Sequence, residues 1–186
     1  MKNFKTAIYI ILLFVVISLV SCDKDCGDAS PVREPVYFQY ESTNYACGYF
    51  QAGWYIDQSG NFNYYNLPAD WNEPDSLGFI SKDDLLSNLQ KTDSVIYHIS
   101  IDILQNQIAL IDKVDENSFS DIQHIGADIG RKDLFCFKWD ANHSKYKRIL
   151  LAYSGDFAQH NLDPEAQELT AWLIAVGEKS GYFSWF

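Results

Sequence analysis

The chain has 186 residues, 47% of them hydrophobic, with 14 Lys and Arg against 25 Asp and Glu and a net charge of −11. That length fits one domain with a buried core, and the acidic balance argues against nucleic acid as a partner and against polybasic docking on anionic lipid. Aromatics reach 16%, chiefly Tyr and Phe, which favours a strand-rich core.

Lys2 and Lys5 precede an apolar run from Ala7 to Val20 that only Ser18 interrupts. A basic start followed by a short apolar segment is the pattern of a secretory signal. At about 14 residues the run is shorter than the roughly 20 that a spanning helix needs. Leu19-Val20-Ser21-Cys22 resembles the lipobox of bacterial lipoprotein signal peptides. The resemblance covers residues 1–22. It implies that residues 1–21 are removed, that Cys22 carries a diacylglyceryl thioether and an acylated amine, and that the protein is lipid-anchored to a membrane of the bacterial cell envelope. Two or more acyl chains hold a protein firmly where one binds marginally. Residues 22–35 are polar and contain Pro31 and Pro35, as in a flexible lipidated tether. Asp23, Asp25 and Asp28 loosely resemble the acidic surface-export signal of some Bacteroidetes lipoproteins, which implies the outer membrane.

Residues 36–186 carry the element signals of a single α+β domain. Strands are predicted over 36–40, 49–56 and 61–67, with Asp57-Gln58-Ser59-Gly60 as the turn of a hairpin. Residues 68–78, PADWNEPDSLG, are a loop by composition. Ser81 and Asp84 form a capping box before a short helix with Leu85, Leu86 and Leu89 on one side. Residues 95–114 satisfy two periods: Val95, Tyr97 and Ile99 alternate, while Ile96, Ile99, Ile103, Leu110 and Val114 fit a helical face. The length and the absence of Gly and Pro favour a helix over about 96–113. HIGADIG (124–130) is a glycine-rich connection into strand 134–139, residues 140–144 are a turn, and 146–153 form the returning strand. Asp163 caps the last helix, Pro164 takes its first position, Leu169, Trp172, Leu173 and Val176 form its buried face, and Gly177 ends it. Strands, helices, strands and a helix in this order predict an antiparallel sheet with helices packed on one face.

With Cys22 lipidated, Cys26, Cys47 and Cys136 remain. Cys47 and Cys136 lie in predicted strands and could pair, or be buried free thiols; the odd count favours unpaired. No cysteine or histidine cluster has metal spacing and no cofactor motif is present, so neither is expected. Ser154, Asp156 and His160 are nucleophile-triad residue types without the GxSxG elbow, and His124 with Asp128 is a further acid–base pairing. The aromatic residues Trp54, Tyr64 and Trp71 stand out as ligand-binding candidates. Trp71 is bordered by Asp70, Asn72 and Glu73, and flat rings beside carboxylates and amides suit a glycan or a protein ligand. The expected function is therefore a non-catalytic binding or interaction module on a membrane anchor. A small hydrolase using Asp128, Asp156 or His160 is the alternative.

Overall fold

The computed structural model describes residues 34–46 and 48–185. The predicted signal peptide, the lipidation site Cys22, nearly all of the tether, and Cys26 and Cys47 lie outside the described residues.

Among the described residues, nine strands pair antiparallel throughout: β1 (Val36–Asn44), β2 (Phe50–Asp57), β3 (Asn61–Asn66), β4 (Phe79–Ile80), β5 (Ser94–His98), β6 (Gln123–His124), β7 (Arg131–Asp140), β8 (Lys145–Gly155) and β9 (Phe157–His160). The order across the sheet is β5-β3-β2-β1-β7-β8-β9-β6, with β4 on β8. Three helices join them: α1 (Lys82–Gln90), α2 (Ile101–Ile111) and α3 (Pro164–Ser180). The architecture is a sheet-rich α+β fold.

Local chemistry fixes the element ends. The Asp57 carboxylate accepts from Ser59 N at 2.8 Å and Asn61 N at 3.0 Å and so closes the β2–β3 turn. Ser81 Oγ accepts from Asp84 N at 3.1 Å at the start of α1, as the capping box predicts. Asp163 Oδ1 accepts from Ala166 N at 3.1 Å ahead of Pro164. The last helix runs past Gly177 to a left-handed Gly181 cap. Gly177 is needed inside it because a Cβ there would come within 2.7 Å of the Phe183 ring.

Successive residues of a strand point to opposite faces, and both faces of this sheet are covered. On the first face Phe38, Tyr40, Trp54, Ile56, Leu134, Cys136, Ile149 and Leu151 pack against Leu104 and Ile111 of α2 and Ala166, Leu169, Leu173 and Val176 of α3. On the second, Tyr55, Phe137 and Tyr146 pack against Leu85 of α1. The expected packing of the helices on one face does not describe this arrangement: α2 and α3 share the first core and α1 lies in the second. The reason is that α1 follows the 67–78 loop, which has already carried the chain to the other side. Residues 95–114 also differ from the predicted continuous helix. β5 pairs with β3 as an edge strand, residues 99 and 100 turn the chain, and α2 follows. Leu169 is fully buried, but Trp172 is only half-buried, edge-on to Phe38 at 5.2 Å. Cys136 is a free thiol in the first core; burial pushes it up to about 12, so it behaves as a small hydrophobe.

Candidate functional site

The second face changes character along the strands. Under α1 it is apolar. One or two residues further along, Gln39 and Glu41 of β1, Gln51 of β2 and Asp133 of β7 are all buried. Glu41 lies opposite Gly53 on one side and Asp133 on the other, Gly53 lies opposite Tyr65, and Asp133 lies opposite Tyr153. These residues make one row across five strands. Gly53 is required there, since a Cβ would sit 2.6 Å from the Tyr65 hydroxyl and closer still to Tyr40 O. Its absence lets the Tyr65 ring lie across β2, where its hydroxyl accepts from Gln39 Nε2 at 3.0 Å and donates to Tyr40 O at 3.3 Å.

The charges of the row are unevenly matched. Arg131 Nε donates to both Asp133 oxygens at 2.8 and 2.9 Å, with Nη2 at 2.7 Å from Oδ1, and its guanidinium lies 3.9 Å over the Tyr153 ring. Burial raises Asp133 above the usual carboxylate range against the opposing pull of Arg131. Burial alone would lower Arg131, but the Asp133 hydrogen bonds and charge outweigh it and leave its pKa raised. Arg148 pairs with Glu73 at 3.4 Å and stacks 4.4 Å over Phe135. Glu41 has only amides in contact: Gln51 Nε2 at 2.8 Å and Gln39 Nε2 at 3.4 Å. Burial, with the Glu73 charge adding to it, raises Glu41 to about 7.

Residues 67–78 roof this row. Asn72 N and Nδ2 donate to Asn88 Oδ1 at 2.9 and 3.0 Å, Asn88 Nδ2 returns a bond to Asn72 O, and Lys91 Nζ donates to Asp70 O. Trp71 is half-buried beneath the loop, stacked on Tyr55 at 5.4 Å and packed on Tyr65 at 4.4 Å.

Where the row reaches the end of the sheet, a cleft of about 540 Å³ opens. Its walls are Thr43 and Asn44 at the end of β1 with Tyr45 and Ala46 beyond it, Asp128 and Gly130 ahead of β7 with Arg131 at its start, and Tyr153, Asp156 and Phe157 around the β8–β9 bend. A neighbouring hollow shares Asn44, Ala46 and Asp128 and adds Tyr49 and Phe50. Tyr45 is 73% exposed and Phe157 50%, so both rims carry an exposed ring, Tyr45 beside Tyr49 and Phe157 beside His124. Asp156 holds one wall in place: its Oδ1 accepts from Ile129 N at 2.7 Å and Gly130 N at 3.3 Å. Asn44 Nδ2 donates to Asp128 O at 3.3 Å and ties that wall to β1.

The predicted aromatic candidates do not share a surface. Trp54 is fully buried in the first core, so its ring cannot stack on a ligand. Tyr64 stands beside it in register, half-buried against Tyr182 at 4.9 Å. Trp71 belongs to the opposite face, where it plugs the roof. Of the hydrolase candidates, Asp128 and Asp156 both line the cleft, while His160 points to Ser120 Oγ at 3.4 Å. Among the described residues no hydrogen bond joins Ser154, Asp156 and His160. His124 packs edge-on against Phe157 at 5.2 Å.

Among the described residues, no group of three or more His, Cys, Asp or Glu side chains is placed to hold a metal ion, and no helix is long and apolar enough to cross a membrane. The cleft residues themselves come from three distant segments that share no local pattern. The one sequence signal pointing to the row behind them is Phe38-Gln39-Tyr40-Glu41, whose alternation marks a strand with a polar second face. Compared with known proteins, the chain matches no family model, no curated protein and no solved structure.

Proposed function

We propose that the protein is a lipoprotein of the bacterial cell envelope, anchored to a membrane through Cys22, and that its folded part is a non-catalytic binding module whose recognition site is the cleft between residues 43–46, 128–131 and 153–157. The observation that carries this reading is a cleft within the roughly 300–1,000 Å³ range of ligand sites, with exposed rings on its rims and walls already tied in place. Walls held before binding lower the ordering cost of recognition.

The ligand class follows from the charges. Arg131 spends its charge on Asp133, and Asp128 and Asp156 leave the cleft acidic, so an anion is disfavoured. Rings of Tyr45 and Phe157 offer stacking planes to the C–H faces of a sugar, and Thr43, Asn44 and the carboxylates can bond its hydroxyls. A neutral glycan is therefore the ligand we favour over a protein partner. The hydrolase alternative draws on Asp128 and Asp156 lining the same cleft. Against it, Asp156 Oδ1 is already committed to two backbone N–H groups.

Two measurements test the reading. Full-length protein in detergent is screened on a glycan array beside Tyr45→Ala and Phe157→Ala. Binding of a neutral glycan by the wild type, lost in both variants with little change in melting temperature, is the expected result. Glycan cleavage that Asp128→Asn abolishes would establish the hydrolase instead, and no glycan bound by the wild type would remove the ligand assignment. For the anchor, Cys22→Ala is expected to leave the membrane fraction or to stay unprocessed. A mature-length variant still in the membrane fraction would refute lipidation there.

A further inference from the structure

The roof and the sheet meet through two acids. Gln51 Nε2 donates to Glu41 Oε2 at 2.8 Å and to Glu73 Oε1 at 3.2 Å. Two carboxylates that accept from one amide nitrogen lie close together, and the Glu73 charge adds to burial in disfavouring the charged form of Glu41. Of the groups facing Glu41, Arg148 and the Gln51 amide favour its charged form, and both are shared with Glu73. The strand of Glu41 itself offers the neutral Gln39; β2 offers Gln51 and β3 the Tyr65 hydroxyl. β7 brings Asp133 with Arg131 already bound to it, β8 brings Arg148, and the roof brings Glu73, which takes Arg148 for itself. Helix α1 brings Asn88, bonded to Tyr55 and Asn72, the Asp84 carbonyl, which accepts from Asn72, and the apolar Leu85 and Leu89. Three acids thus face two arginines, both engaged, and Glu41 is the acid left over.

We propose that Glu41, Gln51 and Glu73 form a proton-operated latch that fastens residues 67–78 over the polar row. With Glu41 neutral, the shared Gln51 amide ties Glu73, and with it the roof, to β2. When Glu41 loses its proton, Glu73 is driven off Gln51 and the roof lifts from Gln39 and Glu41. Two features of the closed state favour opening once the latch lets go. Gln39 Oε1 is fully buried without a partner, and water would satisfy it. Leu67 and Asp70 hold φ of 45° and 52°, a strained conformation, above all for the leucine. Trp71 on Tyr55 and Tyr65, the Asn72–Asn88 bonds and the Arg148–Glu73 pair are the opposing forces. The rise of Glu41 to about 7 agrees with a carboxyl that keeps its proton while the roof is shut. The latch does not depend on what the cleft binds.

Linkage gives the signature. Glu41 releases its proton far more readily in water than under the roof, so the opening equilibrium rises about tenfold per pH unit until the closed-state carboxyl itself ionises near 7, and then levels off. The test is amide hydrogen exchange over residues 67–78 of the full-length protein from about pH 5 to about pH 8, corrected for the intrinsic pH dependence of exchange. Protection is expected to fall about tenfold per pH unit up to about 7 in the wild type and to stay flat in Glu41→Gln, which mimics the protonated acid. Flat protection in the wild type, or the same slope in Glu41→Gln, would overturn the latch. Glu73→Gln, at a half-exposed position, gives a second reading should Glu41→Gln fold poorly. It removes the repelling charge and frees Arg148, so the levelling-off point must move to lower pH; an unmoved point also overturns the proposal.

Discussion

On the first face of the sheet, Trp54, Phe62, Cys136 and Leu151 are buried among the apolar side chains of α2 and α3; on the second, Gln39, Glu41, Gln51 and Asp133 are buried among polar neighbours. The difference lies in what burial demands. Apolar side chains need only be packed, and their contribution does not depend on pH. A buried polar group needs a partner for each donor and acceptor, and a buried acid needs a cation or a proton. The first face meets its demand by packing, apart from the Trp54 indole Nε1, which is buried without a partner. The second meets it through amides, two arginine pairs and one carboxyl raised to about 7, and still leaves Gln39 Oε1 without a partner. One face is a fixed scaffold; the other is stable only under conditions, and the cleft opens at its end.

The largest effect belongs to the scaffold. Trp54 touches Tyr40, Phe62 and Phe183 at ring separations of 5.6, 4.6 and 6.3 Å. Trp54→Ala is expected to cost about 3–5 kcal/mol, as for a core aromatic, by the same amount at about pH 5 and about pH 8. Denaturant unfolding at both values checks this. Trp54→Phe should recover most of the loss, because the indole Nε1 is buried without a partner and its removal costs no hydrogen bond. A loss that changed strongly with pH would erase the distinction between the faces.

Glu41→Gln probes the other side. The folded carboxyl titrates at about 7 against an ordinary value of 4.5. The folded state therefore holds the proton more tightly than the unfolded chain. Wild-type stability is highest below about pH 4.5 as far as this group is concerned, falls as pH rises toward 7, and is level above it. The decline amounts to roughly 3 kcal/mol. Glu41→Gln should lack it and be the more stable protein at about pH 8, with little difference at about pH 4.5. Asp133, also raised by burial, leaves a residual slope of the same sign. Thermal melts of both proteins across that range decide it, and a variant that is less stable than wild type at about pH 8 would show that the amide network, not the charge, governs this face.

Trp71 lies between the two regimes. It is an apolar ring in a polar roof. Its half-burial and two ring contacts predict a loss of about 2 kcal/mol on Trp71→Ala. The loss should shrink with pH as the latch weakens, because an open roof no longer makes those contacts. Ligand binding in the cleft should survive, since Trp71 is not among its walls. Binding lost with stability intact would return Trp71 to the recognition role its composition first suggested.

Much of the scaffold was legible in the sequence because its signals are local. Ser81 with Asp84, Asp163 with Pro164, and the 57–60 turn each act within a few residues. The split of 95–114 was hidden because β5 is specified by β3, some thirty residues earlier in the chain (Asn63 opposite Val95), and not by its own period. The polar row was half legible. Alternation in Phe38-Gln39-Tyr40-Glu41 marks a strand with a polar face, but nothing local says that residues 67–78 will cover it. Gly53 was the missed clue: a glycine inside a strand often marks a close approach, here the Tyr65 ring. The cleft was illegible because its walls meet only when β1, β7 and β8 align.

The smallest effect on stability is expected at that cleft, and it separates recognition from packing. Tyr45 is largely exposed, and its one ring contact is Tyr49 at 5.4 Å. It follows β1 and contributes to neither core. Tyr45→Ala should shift stability by no more than about 0.5 kcal/mol, at any pH, because no buried acid depends on it. If the ring is a stacking plane for a sugar, the same variant should lose about 1 kcal/mol or more of binding, roughly a fivefold rise in Kd. Calorimetric titration with the glycan found on the array, beside a melt of the same sample, measures both quantities at once. A large loss of binding with an unmoved melt assigns Tyr45 to recognition. A destabilisation of more than about 1 kcal/mol would instead make the 45–49 segment part of the scaffold, and the line between the fixed and the conditional regions would have to be redrawn at the end of β1.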